Sequence, residues 1–388
     1  MEIESYIGNA DEFPILQNWK FLNHAAVAPL CRRAASAMAK FAQQASQHAY
    51  IGADWYTQIE QLRVSAAELI SADKEEIAFV KNTSEGLALV ANGLDWRDGD
   101  RIVSTNVEYP ANAYPWIDLI GRKGIDLVRV EEVEDAGGAR RVPLEAILQA
   151  AEHPRTRLVT LSHVEFGSGQ RHDLVAIGRF CVERDILLCV DGIQSLGVLP
   201  VNVREMNIAF LSADGHKWML GPEGAGIFYC RKDLIAKMHP AIVGWLNVQR
   251  PFDFDNLDYT LKSNAGRFEY GSPNVAGLLA LKASIDMISS IGIEAIWRQV
   301  DSLNELLVQG LTSQGFLVSS PRLPTERSGI VSFGRADLNT ASTAKRLKEK
   351  HGIELAVRSG RLRTSPHFYT PVADIEHLLS SLSGRNGE

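Results

Sequence analysis

The chain has 388 residues, of which 45% are apolar and 22% charged, and a formal net charge of -7. That length exceeds what one core usually organises, so two packed domains are expected. The acidic balance argues against a nucleic-acid partner, no apolar run approaches the roughly 20 residues of a membrane helix, and the acidic start MEIESYIGNADEF lacks a signal peptide's basic and apolar regions. The four cysteines (Cys31, Cys181, Cys189 and Cys230) form no CxxC pair and no metal-ligand spacing. Cys189, inside the run ILLCV, reads as a buried thiol. Together these features point to a reducing, cytoplasmic compartment without a metal site.

From about Ile77 to Tyr229, short apolar runs alternate with amphipathic stretches. EIAFV leads into KNTSEGLALVANGL, where Thr83 and Ser84 open a helix, Glu85 sits in its first turn and Gly86 permits close backbone approach. A helix N-terminus with hydroxyls is a ready anion site, although an ordinary N-cap has the same appearance. DRIVST is followed by NVEYPANAYPW, which puts Tyr109 at a strand end as a ring face or as packing. Next come IDLVRV, the helical LEAILQAAE, RLVTLSH and the helical LVAIGRFCVERD. ILLCV ends at Asp191, a carboxylate aimed into a crevice or a loop cap, with Gln194 three residues on. NIAFLS leads to His216 and Lys217, and GAGIFYC closes the series. Such alternation reads as βαβ units around a mostly parallel sheet, whose ligands gather at the carboxyl ends of the strands.

After about Pro251 the texture changes. Two long helical stretches (VAGLLALKASIDMISSIGI and EAIWRQVDSLNELLVQGL) precede GFLVSS, GIVSFG, the helix TASTAKRLKEKHG, the strand-like IELAVRSGRLRTS and a last helix, ADIEHLLSSL. The expected division is an N-terminal segment (1–20), a large domain (21–250) and a small α+β domain with its linking helix (251–388). Trp55, Tyr56, Trp116, Trp245 and Phe368 read as packing residues more readily than as pocket walls.

A phosphate cradle, a carboxylate, a flat aromatic and a lysine at successive strand ends describe one cofactor, pyridoxal 5'-phosphate (PLP). Burying a lysine is expensive unless it is paired or neutral, and a neutral amine is a reagent. The motifs VDGIQSLGVLPVNV and SADGHKWMLGPEGAGIFY resemble those of class V, fold-type-I PLP enzymes. That superfamily includes cysteine desulfurases, selenocysteine lyase, kynureninase, serine and alanine aminotransferases and isopenicillin-epimerase-like proteins. The resemblance runs from FLNHAAVAPL to RLRTSPHFYT and implies a large domain with a mostly parallel seven-stranded sheet plus a small C-terminal domain.

The resemblance further implies roles. Lys217 is the Schiff-base lysine and α-proton shuttle, Asp191 pairs with the ring nitrogen, and Gln194 lies by the ring hydroxyl. Thr83, Ser84 and His216 hold the phosphate, and Tyr109 stacks on the ring. Ser272, in RFEYGSPN, reaches the phosphate of a neighbouring subunit, which implies a homodimer with a shared active site. Arg363 clamps the substrate α-carboxylate, with Arg358 as the second candidate. Asn23 and His24 edge the substrate pocket. Three departures stand out. No cysteine follows Cys230, whereas desulfurases carry a small-domain thiol that takes up sulfur as a persulfide, and this speaks against a persulfide-forming desulfurase. Asp214 occupies a phosphate-binding serine position and is expected to face elsewhere or pair with a base. Phe166 replaces an asparagine that contacts the ring hydroxyl. The expected activity is transamination of a small amino acid, with C–S β-elimination or an epimerase-like reaction as the alternative.

Overall fold

The computed structural model describes residues 3–383; the ends of the expected N-terminal segment and small domain, residues 1–2 and 384–388, lie outside the described residues. A two-residue strand, β1 (Lys20–Phe21), comes first. The seven apolar runs become the seven strands of one sheet. They are β2 (Ile77–Val80), β3 (Arg101–Thr105), β4 (Asp126–Val130) and, after a small ribbon of β5 (Val133–Glu134) and β6 (Arg140–Arg141), β7 (Thr156–Ser162), β8 (Leu187–Asp191), β9 (Phe210–Asp214) and β10 (Gly226–Cys230). Their order is β2-β10-β9-β8-β7-β3-β4. Only β10 runs antiparallel to its neighbours. The inner strands are covered on both faces, so they read as continuous apolar runs rather than alternating ones.

One face carries Val159, Leu188 and Ile227 against Leu174, Ile177 and Leu281 from the covering helices. The opposite face packs Ile102, Phe210 and Phe228 against Leu87, Val90 and Trp116. Gly86 is required in the helix Thr83–Gly93, because a Cβ there would lie 2.2 Å from Ser212 Oγ on β9. That close approach sets the helix N-terminus beside the end of β9.

Helix Val275–Ile291 packs on helices Arg32–His48 and Trp55–Leu69. The second layer is a four-stranded sheet, β11-β12-β15-β14, built from β11 (Leu317–Val318), β12 (Val331–Gly334), β14 (Ala356–Arg358) and β15 (Arg361–Thr364). Its core joins Phe333 and Leu362 to Leu303, Leu307 and Leu378. β13 (Ile353–Glu354) pairs in parallel with β1, tying the start of the chain to this layer. IELAVRSGRLRTS, which reads as a single strand, is a hairpin. Ser359 and Gly360 form its two-residue turn at φ 48° and 73°, the geometry that suits a tight hairpin. Among the described residues, no single helix is long and apolar enough to cross a membrane.

Candidate active site

The carboxyl ends of the parallel strands, the start of antiparallel β10 and the small-domain hairpin enclose a cavity of about 540 Å³. Its walls include Lys217, Asp191, Gln194, Thr83, Ser84 and Tyr109. His216, Arg358, Arg363 and Phe166 complete the ring of groups singled out from the sequence.

Lys217 is 8% exposed, its carbonyl accepts from the Leu220 amide at 3.0 Å, and its Nζ makes no hydrogen bond or ion pair among the described residues. Its Nζ lies 5.4 Å from the centre of the Tyr109 ring. Burial, opposed by the Asp191 charge, brings its ammonium down to about 8. The segment is fixed from both sides: Trp218 Nε1 donates to Gln194 Oε1 at 2.8 Å, and the Trp218 carbonyl contacts His367 Nε2 at 3.0 Å. Asp191 ends β8, is 1% exposed and accepts from the Ile193 amide at 2.9 Å. Burial raises its carboxyl to about 6, against the opposing pull of that amide and of Lys217.

The helix Thr83–Gly93 is capped by Asn82, whose side chain accepts from the Glu85 amide at 2.9 Å. The sequence signal had pointed to the hydroxyls one turn-position later. Thr83 Oγ1 accepts from the Asp214 amide at 3.0 Å, which leaves its O–H to donate. Asp214 pairs with the base expected for it: His216 Nδ1 lies 2.8 Å from Asp214 Oδ2. Gln194 is held at both ends, since its Nε2 donates to the Ala25 carbonyl at 3.0 Å. One N–H remains to face the cavity.

Arg363 is 1% exposed. Its Nη1 donates to the Phe166 carbonyl at 2.7 Å, while Nε and Nη2 are buried without a partner among the described residues. Burial and then Arg358 push its guanidinium down to about 9. Two unpaired donors on a rigid fork are what a carboxylate requires. Tyr109 is 47% exposed and meets Phe166 edge-on, with ring centres 5.3 Å apart.

Three expected residues do not line this cavity. His24 is fully buried, with Nδ1 2.8 Å from the Ser365 carbonyl and Nε2 2.6 Å from the Tyr369 hydroxyl, so neither ring nitrogen is available. Asn23 bridges to Ser365 and donates to Glu354 at 3.3 Å. Their neighbours Ala25, Ala26 and Val27 form that wall instead. Ser272 is exposed in an adjoining depression with Trp245, Phe252 and Tyr270, which shares Lys81 and Gly224 with the cavity, and Ser272 does not itself line the cavity of its own chain. Trp116 and Phe368 are core residues, and Trp55 packs on Phe41.

A buried polar layer next to Asp191 carries no motif and was missed. Thr105 Oγ1 donates to Glu165 at 3.0 Å, and Glu108 accepts from the Ser162 amide and hydroxyl. Burial raises Glu165 to about 8 and lowers His172 to about 4. Burial thus pushes both groups of this 3.1 Å contact towards their neutral forms. All four cysteines are buried, and none lines the cavity. Among the described residues no group of three or more His, Cys, Asp or Glu is placed to hold a metal ion.

The donor set fits PLP: a carboxylate for the ring nitrogen, an anion site of hydroxyls and helix amides for the phosphate, and a depressed lysine within reach of a flat aromatic. The comparisons agree. The profile of the family Aminotransferase class-V matches residues 20–374. A probable cysteine desulfurase of Pyrococcus abyssi is 32% identical over 337 residues, covering 83% of this chain and 82% of that one. The apo cysteine desulfurase of Thermococcus onnurineus NA1 superposes with a TM-score of 0.85 at 27% identity, covering 95% of each chain. A cystine C–S lyase in complex with its product cysteine persulfide superposes at 0.86 with 25% identity, covering 96% of this chain and 99% of that one. A further structure, of a variant with glycine covalently linked to its PLP, superposes at 0.88 with 25% identity, covering 97% and 99%. The expectation that the missing small-domain thiol speaks against a persulfide-forming desulfurase is opposed by the first two of these relatives, which are named cysteine desulfurases. The chain belongs to the class-V aminotransferase family, and its cofactor is pyridoxal 5'-phosphate.

Proposed function

We propose that the chain is a PLP-dependent C–S lyase that removes sulfur from a small sulfur-bearing amino acid by β-elimination. The observation that carries this reading is a cavity with Lys217, Asp191 and Arg363 complete and no cysteine on its wall, bounded on the small-domain side by Arg358 and Arg363 of the hairpin. Relatives named for breaking the C–S bond support it. Transamination, the first expectation from sequence, becomes the second reading; a relative in Bacillus subtilis named as an uncharacterized aminotransferase, 27% identical, keeps it in view.

PLP, when bound, supplies an electron sink for the pair left at the substrate α-carbon. Lys217 holds the cofactor and then, as a free amine brought down to about 8, takes the α-proton at Nζ. Asp191 holds the proton on the ring nitrogen, and its burial makes that charge pair strong. Thr83, Ser84 and His216 bind the phosphate. Arg363 orients the substrate by its α-carboxylate through Nε and Nη2. Tyr109 and Phe166 cover the site and exclude water. With L-cysteine the balance is cysteine plus water giving sulfide, pyruvate and ammonia. The active unit is a homodimer in which Ser272 serves the partner's phosphate site.

The test is product analysis of the holoenzyme with L-cysteine and L-cystine, without added keto acid. Catalytic release of keto acid and ammonia with sulfide from cysteine, or with persulfide from cystine, is expected. Stoichiometric conversion of the cofactor to its pyridoxamine form, with no sulfur release, would instead establish transamination.

A further inference from the structure

Arg358 and Arg363 belong to one face of the hairpin. Ala356 stands opposite Arg363, and Arg358 opposite Arg361. Opposed residues share a face, as do residues two apart along a strand. All four side chains therefore leave the same side of the sheet, with Arg358 diagonal to Arg363. Arg361 pairs with Glu134 at 3.4 Å. Neither Arg358 nor Arg363 has a carboxylate within ion-pair distance among the described residues, and both line the cavity.

The cavity wall then has a charge left over. Its anions are Asp191, Asp214 and Glu223, and its remaining cation, Lys81, is answered by Tyr270 and Glu85. Asp214 is taken by His216, and Asp191 faces Lys217 and the ring nitrogen. Glu223 lies with Gly224 at the start of β10, which pairs with the β2 and β9 edge of the sheet and not with the hairpin. The substrate α-carboxylate answers Arg363. Arg358 makes a single hydrogen bond, from Nη1 to the carbonyl of Val357 at 2.8 Å, and is otherwise unanswered. Two like charges placed side by side in a half-buried cavity repel, and a second anion beside the substrate α-carboxylate would relieve that repulsion.

We infer that the preferred substrate carries a second anionic group at the end of its side chain, a carboxylate or an oxidised-sulfur anion, and that Arg358 binds it. This rests on the reading of the cavity as a PLP amino-acid site, and names the substrate class for it. Arg358 is then a specificity residue, distinct from the α-carboxylate clamp. Neutral amino acids use Arg363 alone.

The experiment measures calorimetric binding of two isosteric pairs, L-aspartate against L-asparagine and L-glutamate against L-glutamine, to the wild-type holoenzyme and to Arg358→Gln and Arg358→Lys. None of these ligands carries sulfur, so binding is read apart from C–S cleavage. The wild type is expected to bind one of the acids about 10- to 100-fold more tightly than its amide. Arg358→Gln should abolish that difference by weakening the acid and leaving the amide within about twofold, and Arg358→Lys should restore part of it. Equal affinity for acid and amide in the wild type would overturn the inference. So would an equal loss of both ligands in Arg358→Gln, which would place Arg358 on the α-carboxylate. Failure to release sulfide or persulfide would strike the elimination reading alone and leave this selectivity standing.

Discussion

Arg363 is tethered by one side-chain hydrogen bond, from Nη1 to the Phe166 carbonyl at 2.7 Å, and this leaves Nε and Nη2 buried and without a partner among the described residues. The tether joins the small sheet to the loop after β7, so the two layers hold the clamp together. An unpaired buried donor costs about 1–3 kcal/mol, more if charged. Arg363→Met should therefore fold with a melting temperature equal to or above that of the wild type, bind PLP, and lose kcat/KM by about 10² or more. Calorimetry with steady-state kinetics checks both. A strongly destabilised variant would mean the guanidinium is satisfied within the chain.

Asp191 is 1% exposed, and Asn in its place cannot hold a proton on the ring nitrogen. Asp191→Asn should retain PLP and lose about 10² to 10³ in turnover. Bound cofactor by absorbance and initial rates by sulfide release check it. Near wild-type turnover would remove Asp191 from the reaction.

Lys217 has its ammonium brought down to about 8 by burial. Only the neutral amine condenses with PLP, so capture of added PLP by the apoenzyme should accelerate with rising pH and level off above about 8. An ordinary lysine would still be accelerating at pH 9.5. The folded state binds this proton less tightly than the unfolded chain, so Lys217 also adds stability as pH rises from about 8 towards the usual lysine value. Stopped-flow absorbance gives the rate profile.

Much of this was legible because it is local. Inner strands buried on both faces read as apolar runs, and Asp191, Thr83, Tyr109 and Lys217 follow those runs at short range. The rest depends on partners far along the chain. His24 reads as a pocket residue beside Ala25, yet its ring is consumed by Ser365 and Tyr369, more than 340 residues away. Arg358 and Arg363 could not be told apart without the hairpin register, and the SG turn sits inside what reads as one strand. Glu108 and Glu165 carry no motif; only the adjacency of β3, β7 and β8 brings them beside Asp191.

Gly86 tests the link between packing and the phosphate site. In Gly86→Ala the new Cβ would meet Ser212 Oγ at 2.2 Å and Ser212 Cβ at 2.7 Å. The helix must move off β9, which costs about 1–3 kcal/mol and shifts Thr83 and Ser84. Weaker PLP binding is expected together with a lower melting temperature. Lost stability with unchanged PLP affinity would separate the helix from the phosphate.

Trp245 and Phe252 are exposed and share a depression with Ser272, and the proposed homodimer would cover them. If sites are shared, mixing inactive Lys217→Ala subunits with inactive subunits bearing a bulky charge at Ser272 should restore part of the activity, because one site of each mixed dimer carries neither change. No recovery despite verified exchange would refute sharing.

The most direct measurement reduces the holoenzyme with borohydride and maps the cofactor by peptide mass spectrometry. The account predicts the phosphopyridoxyl group on Lys217 alone. Attachment to Lys81, the other lysine on the cavity wall, or to several surface lysines at once, would contradict it.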